Sequence, residues 1–130
     1  ITVRILEQVF VLGIKMTALT NNEKLTTISK NANVVTLINI FTVEPENQQR
    51  LMDLWAEITE DVMCKLPGFI SANIHKSLDG KWVTNYAQWR SVEDFRGIFQ
   101  NPDALSHMPA IGKIAKSSPV LYEVAYTKNP

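Results

Sequence analysis

Between residues 34 and 43 the chain reads Val-Val-Thr-Leu-Ile-Asn-Ile-Phe-Thr-Val, a run rich in β-branched side chains. Such a run predicts a strand. Alternation puts Val35, Leu37, Asn39 and Phe41 on one face and Thr36, Ile38 and Ile40 on the other. Both faces are mostly apolar, so both are expected to be covered. Glu44-Pro45 then opens a helix, because proline suits the first helical position, where its missing N–H would have no partner. Leu51, Leu54, Trp55, Ile58 and Val62 recur at helical spacing and form one apolar stripe. Pro67-Gly68 is expected to stop that helix. Two strands follow, over 69–77 and 81–90. They are joined at Asp79-Gly80, a tight-hairpin signal that calls for positive φ at both central residues. Ser91-Val92-Glu93-Asp94 reads as an N-cap with an acidic residue three places on. Phe95, Ile98 and Phe99 give the short helix behind it an apolar side. Asn101-Pro102 restarts a helix, with Leu105, Met108, Ile111 and Ala115 on one stripe. Pro119 precedes a last strand predicted over 120–127.

The predicted order is β-α-β-β-α-α-β. Apart from the extra short helix, this is an α+β, ferredoxin-like arrangement built on a four-stranded antiparallel sheet. Helices on one side leave the other sheet face to bury. Tyr122, Tyr126 and the apolar second face of the first strand suggest that a partner subunit covers it, giving a homodimer. The pattern divides the chain into a domain over 34–127 and an extension over 1–33. Residues 17–33 are polar, without a sustained apolar period, and read as a flexible arm free to drape over a partner.

Composition narrows the partners. Lys plus Arg and Asp plus Glu stand at 13 each, so the basic excess expected of a nucleic-acid or anionic-membrane binder is missing. The 130 residues are enough for one domain to bury a core without metal or disulfide staples. A single cysteine, Cys64, excludes an internal disulfide and fits a reducing, cytoplasmic compartment. Its neighbours Val62, Met63 and Leu66 make it read as buried filler. Val9 to Ile14 is apolar but too short to span a bilayer, and no clear small-residue cleavage site marks a signal peptide. The first methionine is Met16, read as a natural start with an extension before it, vector-derived or from an upstream start codon.

From Leu66-Pro67-Gly68-Phe69-Ile70-Ser71-Ala72, through His75 and Asp79-Gly80, to Asn85-Tyr86-Ala87-Gln88-Trp89, the chain resembles the quinone-forming antibiotic biosynthesis monooxygenases. The likeness runs over roughly residues 34–127 and is densest from Pro67 to Trp89. It implies a homodimer whose sheets stack into a dimeric α+β barrel, with an apolar pocket between sheet and helices in each subunit. It also implies oxygenation without flavin, haem or metal. The small aromatic substrate, an anthrone-type polyketide, is deprotonated to an enolate-like anion and itself supplies electrons to O2. The protein's task is then shape, desolvation and hydrogen bonds to a developing oxyanion.

Asn85 matches the pocket asparagine of that family and Trp89 its pocket tryptophan. Alternation supports the pair independently, because Val83, Asn85, Ala87 and Trp89 share one strand face. The plainer alternative is that Asn85 pairs with nearby backbone and Trp89 is core. The resemblance further places Asn39, Phe41, Phe95, Phe99 and Met108 around the substrate. Two positions depart from the family's pattern. Its pocket tyrosine falls at Phe95, which keeps the ring and loses the hydroxyl. An arginine expected on the next helix is replaced by His107 or Met108.

His107 is a candidate base, since histidine is the residue type best suited to proton transfer at neutral pH. It also falls near the iron-ligating histidine of haem-degrading monooxygenases of the same superfamily, which carry an asparagine where Asn39 stands. Haem binding through His107 and Asn39 is therefore a second reading. A third is a non-catalytic ligand-binding dimer that kept the scaffold and lost the chemistry. His75, in phase with Ser71 and Asn73, reads as exposed hairpin. Trp82, out of phase with Asn85, reads as an edge or subunit contact. No Gly-rich phosphate loop, paired cysteines or HExxH helix is present.

Overall fold

The computed structural model describes residues 25–30 and 32–130. The proposed start at Met16, the apolar stretch 9–14 and most of the polar arm lie outside those residues. Strand β1 (Val35–Val43) is followed by one 3-10 turn (Pro45–Asn47) and helix α1 (Gln48–Asp61). Strands β2 (Phe69–Lys76) and β3 (Trp82–Trp89) come next. Helix α2 (Val92–Arg96), a 3-10 turn (Gly97–Gln100), helix α3 (Pro102–Gly112) and strand β4 (Ala115–Tyr122) complete the domain. All strand pairs are antiparallel, in the order β2-β3-β1-β4. The α+β, ferredoxin-like architecture is thus the one the hydrophobic pattern describes.

The two central strands set the register. Asn39 lies opposite Asn85, Phe41 opposite Val83 and Val35 opposite Trp89. Their odd-numbered side chains face the helices. Leu37, Phe41, Val43, Val83, Ala87 and Trp89 join Leu51, Trp55 and Ile58 of α1 in one buried cluster, completed by Ile98, Ala104 and Ile111. Ser91 caps α2 by accepting the Asp94 N–H, and Asn101 caps α3 by accepting the Ala104 N–H. Each satisfies a donor that the first helical turn leaves free.

Several boundaries differ from the sequence expectation. Helix α1 ends at Asp61, and a 3-10 turn (Met63–Lys65) separates it from Pro67. The change of pitch breaks the 3.6-residue spacing, so Met63 turns inward and Cys64 is exposed, its thiol set against the Glu60 carbonyl. In the hairpin only Gly80 takes positive φ, at +82°; Asp79 does not. The Asp79 carboxylate instead accepts the Ser77 hydroxyl and the Lys81 N–H, fixing a wider turn closed by Gly80 N–H to Ser77 O. On α3 it is Ala104, not Leu105, that turns inward, and Ala115 already belongs to β4.

Strand β4 begins five residues earlier than predicted and ends at Tyr122, leaving Tyr126 beyond it. Proline is a poor strand interior because it donates no hydrogen bond, but β4 is an edge strand, where one side needs no donors. Pro119 therefore pairs opposite Asn39 within the strand rather than preceding it.

The second face of the sheet is only partly covered. Residues 25–30 lie over one portion: Gln88 Nε2 donates to Thr27 O at 2.8 Å, and Thr26 Oγ1 donates to Asn73 Oδ1 at 2.8 Å. Thr36 and Gln88 are buried there. Elsewhere on that face Ile40, Trp82, Val120 and Tyr122 are exposed, so among the described residues the expected two-sided cover is incomplete. His75 is exposed, as read from its phase.

Candidate active site

A cavity of about 230 Å³ opens between the inner sheet face and the helices. Strand alternation supplies its floor: Leu37, Asn39 and Phe41 from β1, and Asn85, Ala87 and Trp89 from β3. Trp55 and Thr59 enter from α1, Met63 from the turn behind it, and Met108 and Ile111 from α3. Phe95, Ile98 and Phe99 form a further wall. Phe99 remains 58% exposed, which places it at the rim.

None of the lining side chains is charged, and none is a histidine. Its polar groups are few and poorly satisfied. The carboxamide oxygens of Asn39 and Asn85 and the indole N–H groups of Trp55 and Trp89 are all buried without a hydrogen-bond partner. Asn85 and Trp55 are each only 7% exposed, and Trp89 only 2%. Buried polar atoms are normally paired, and leaving one unpaired costs about 1–3 kcal/mol. Four such atoms on one small cavity are the arrangement of a site that awaits a ligand able to donate and accept hydrogen bonds.

Directly opposed residues of an antiparallel pair bring their Cβ atoms to roughly 4.5–5.5 Å. Asn39 and Asn85 are such a pair, so their amides sit side by side at the middle of the floor. Trp89 is held from several sides. Its ring meets Phe69 edge-on at 5.6 Å and Phe95 at 6.4 Å, and Phe95 meets Phe99 at 5.7 Å. Edge-to-face contacts of this kind are favourable and fix ring orientation. The indole has little freedom to seek an acceptor elsewhere.

Seven residues singled out in the sequence therefore line one cavity: Asn39, Phe41, Asn85, Trp89, Phe95, Phe99 and Met108. His107 does not line it. It is half-buried on α3, one residue from Met108, and is not brought to Asn39. Among the described residues, no group of three or more His, Cys, Asp or Glu side chains gathers into a metal-binding cluster. No helix there is long and apolar enough to cross a membrane. Trp55, read only as part of a helical stripe, is a wall of the cavity. Its signal was its own N–H, which a buried indole must place somewhere. Ser117 and Pro119 also line the cavity. They escaped notice because β4 starts before the proline.

A sequence model described as antibiotic biosynthesis monooxygenase matches residues 34–109. The tetracenomycin-F1 monooxygenase of Streptomyces glaucescens is 41% identical over 101 residues, covering 78% of this chain and 90% of the relative. The crystal structure of SnoaB, a cofactor-independent oxygenase from Streptomyces nogalater, is similar with a TM-score of 0.64 and 26% identity, over 74% of this chain and 97% of that one. A monooxygenase from the gene ActVA-Orf6 of Streptomyces coelicolor, solved with the ligand nanaomycin D, is similar with a TM-score of 0.67 and 27% identity, over 74% and 91%.

Proposed function

Because the chain belongs to the antibiotic biosynthesis monooxygenase family, we propose that it is a cofactor-independent monooxygenase acting on an aromatic, enolisable, anthrone-like small molecule. The observation that carries this reading is the apolar cavity with unpaired carboxamides and indoles at its floor and walls. Such a surface holds a flat aromatic skeleton whose oxygens can accept from the indole N–H groups and whose hydroxyl groups can donate to the carboxamide oxygens. In the proposed reaction the ring CH2 that lies across the central ring from the carbonyl, and is conjugated with it through the fused aromatic rings, loses a proton to water and leaves an enolate. The enolate passes electrons to O2, a C–O bond forms, and the resulting hydroperoxide breaks its O–O bond. One oxygen stays as the new carbonyl, the other leaves as water, and CH2 plus O2 becomes C=O plus H2O.

Within that scheme Asn85 Nδ2 and the Trp89 indole N–H donate to the enolate oxygen, and the apolar lining strengthens those bonds. Asn39, Phe41, Phe95, Phe99 and Met108 position the ring system. No ionisable side chain lines the cavity, so the acidity comes from the substrate, raised by the stabilised anion. His107, as a base, would have to work through water. The absent hydroxyl at Phe95 leaves Asn85 and Trp89 with a larger share of the oxyanion's stabilisation.

The test is oxygen uptake by the purified protein with dithranol as a model anthrone, beside the Asn85→Ala variant. Uptake well above the spontaneous rate is expected. The variant should lose roughly 10²–10³-fold, as when one preorganised oxyanion donor is removed. Tight dithranol binding without any acceleration would instead favour the non-catalytic reading. The protein is further proposed to work as a cytoplasmic homodimer, its second copy covering the exposed Ile40, Trp82, Val120 and Tyr122. Sedimentation as a monomer at micromolar concentration would argue against that assembly.

A further inference from the structure

Trp55 differs from the other polar residues of the cavity in where it comes from. Asn39, Asn85 and Trp89 project from the sheet, whereas Trp55 comes from α1 and packs on Phe41, ring centroids 5.4 Å apart at 52°. The strand register locates it. Phe41 is level with Val83, the two asparagines with each other, and Trp89 with Val35. A strand advances roughly 3.3 Å per residue, so the backbone level of Trp89 and that of Phe41 are about 20 Å apart, with the asparagines between them. The cavity thus has an indole N–H associated with each end and a pair of amides in the middle. Both N–H groups are buried and unpaired. A tryptophan serving only as packing would normally give its N–H an acceptor or leave it in water.

We propose that the Trp55 indole N–H is a second anchor, which binds an oxygen at the opposite end of the substrate from the one held at Trp89. It makes the site selective for a fused polycyclic skeleton bearing oxygens at both ends of its long axis. This rests on the reading of the site as a pocket for polycyclic aromatics and adds a specificity determinant to it. Trp55 is on this account a positioning residue. It sets how far and which way round the ring system enters, and so which carbon lies beside Asn85. Its ring, tilted against Phe41, forms part of the wall at the same end of the cavity. A single-ended ligand would use Trp89 and the amides and leave the Trp55 N–H unpaired.

Two probes separate these cases: 2,6-dihydroxyanthraquinone, with a hydroxyl at each long-axis end, and 2-hydroxyanthraquinone, with one. Binding is measured by titration of the unmodified protein and of Trp55→Phe, which keeps an aromatic ring and removes the donor. The unmodified protein should prefer the two-ended ligand by roughly tenfold, the worth of about one buried hydrogen bond. Trp55→Phe should abolish that preference by weakening the two-ended ligand roughly tenfold relative to the one-ended one, as expected when a single bond of this size is lost. A second readout needs no substitution. The sequence holds three tryptophans, so three indole N–H resonances are expected, and that of Trp55 should move on adding the two-ended ligand only. If Trp55→Phe retains the preference, or the Trp55 resonance responds equally to both ligands, the anchor is wrong while the pocket reading stands. If the unmodified protein binds neither anthraquinone, the pocket reading fails and the anchor with it.

Discussion

Successive side chains of β3 enter two opposite settings, and its two buried amides mark the contrast. On the outer face Gln88 uses both ends of its carboxamide: Ser71 Oγ donates to its Oε1 at 2.8 Å, and its Nε2 donates to Thr27 O at 2.8 Å. Asn73 beside it donates to Tyr86 O at 3.1 Å and accepts from Thr26. On the inner face Asn85 is nearly as buried, yet its oxygen has no partner, and Asn39 opposite is in the same position. A satisfied buried amide adds about 1 kcal/mol to stability, whereas an unsatisfied one costs about 1–3 kcal/mol. The outer amides therefore tie the fold together. The inner ones weaken it and hold hydrogen-bonding capacity in reserve for a ligand, the usual exchange of stability for a preformed site.

The largest expected effect lies on the inner face. Asn85→Ala, which should lower turnover by roughly 10²–10³-fold, should leave the melting temperature unchanged or slightly raised, because the group removed contributes no hydrogen bond. A drop of about 8 °C or more, equivalent to over 1 kcal/mol in a domain this size, would show that Asn85 belongs with the structural amides. Next is the open part of the outer face. Ile40→Glu sets a carboxylate against its symmetry mate in a dimer formed through that face, a like-charge contact costing several kcal/mol. Sedimentation should then show a monomer where the parent protein is a dimer. A variant that still dimerises would move the interface elsewhere. Smaller again is Gln88→Ala, which removes two hydrogen bonds and should cost about 1–2 kcal/mol in denaturant unfolding. Residues 25–30 should become easier to cleave, and oxygen uptake should not change. A variant that unfolds normally but stops turning over would erase the distinction between the two faces.

The same contrast explains what was readable beforehand. Alternation alone separates Asn85 and Trp89 from Gln88 and Tyr86, because a strand has a period of two and one slip would exchange the faces. The cap at Ser91 was readable for a similarly local reason: a side-chain oxygen meets an N–H three residues on. Features that depend on distant neighbours were not. Pro119 looked like a boundary because proline is excluded from central strands, and only the sheet order shows that β4 is an edge. Cys64 looked buried because the apolar spacing continues past Asp61, while the backbone there changes to a 3-10 turn. Trp55 was visible as a stripe residue, but its unpaired N–H appears only when α1 is set over Phe41.

Where β3 leaves the sheet, a third arrangement joins the faces to the helices, and it should give the smallest effect. Arg90 donates to the Asp94 carboxylate through Nε at 2.8 Å and Nη2 at 3.0 Å, and the Ser91 hydroxyl donates to it at 2.9 Å. The Arg90 hydrogen bonds first, then that of Ser91, hold the Asp94 carboxyl below its ordinary value of 3.8. A carboxyl depressed in the folded state stabilises the protein above its unfolded pKa, and that contribution is lost as pH falls through the folded value. Melting temperature should therefore fall more steeply below about pH 4 in the parent protein than in Asp94→Asn. The two curves should converge at the acid end. The groups are solvent-accessible, so the gap should also shrink as salt is added. Gly68, at φ +84°, packs so closely here that a Cβ would overlap the Asp94 side chain. A gap that stays constant from pH 7 to pH 2 would mean that Asp94 holds α2 to the sheet by its fit against Gly68 and not by its charge.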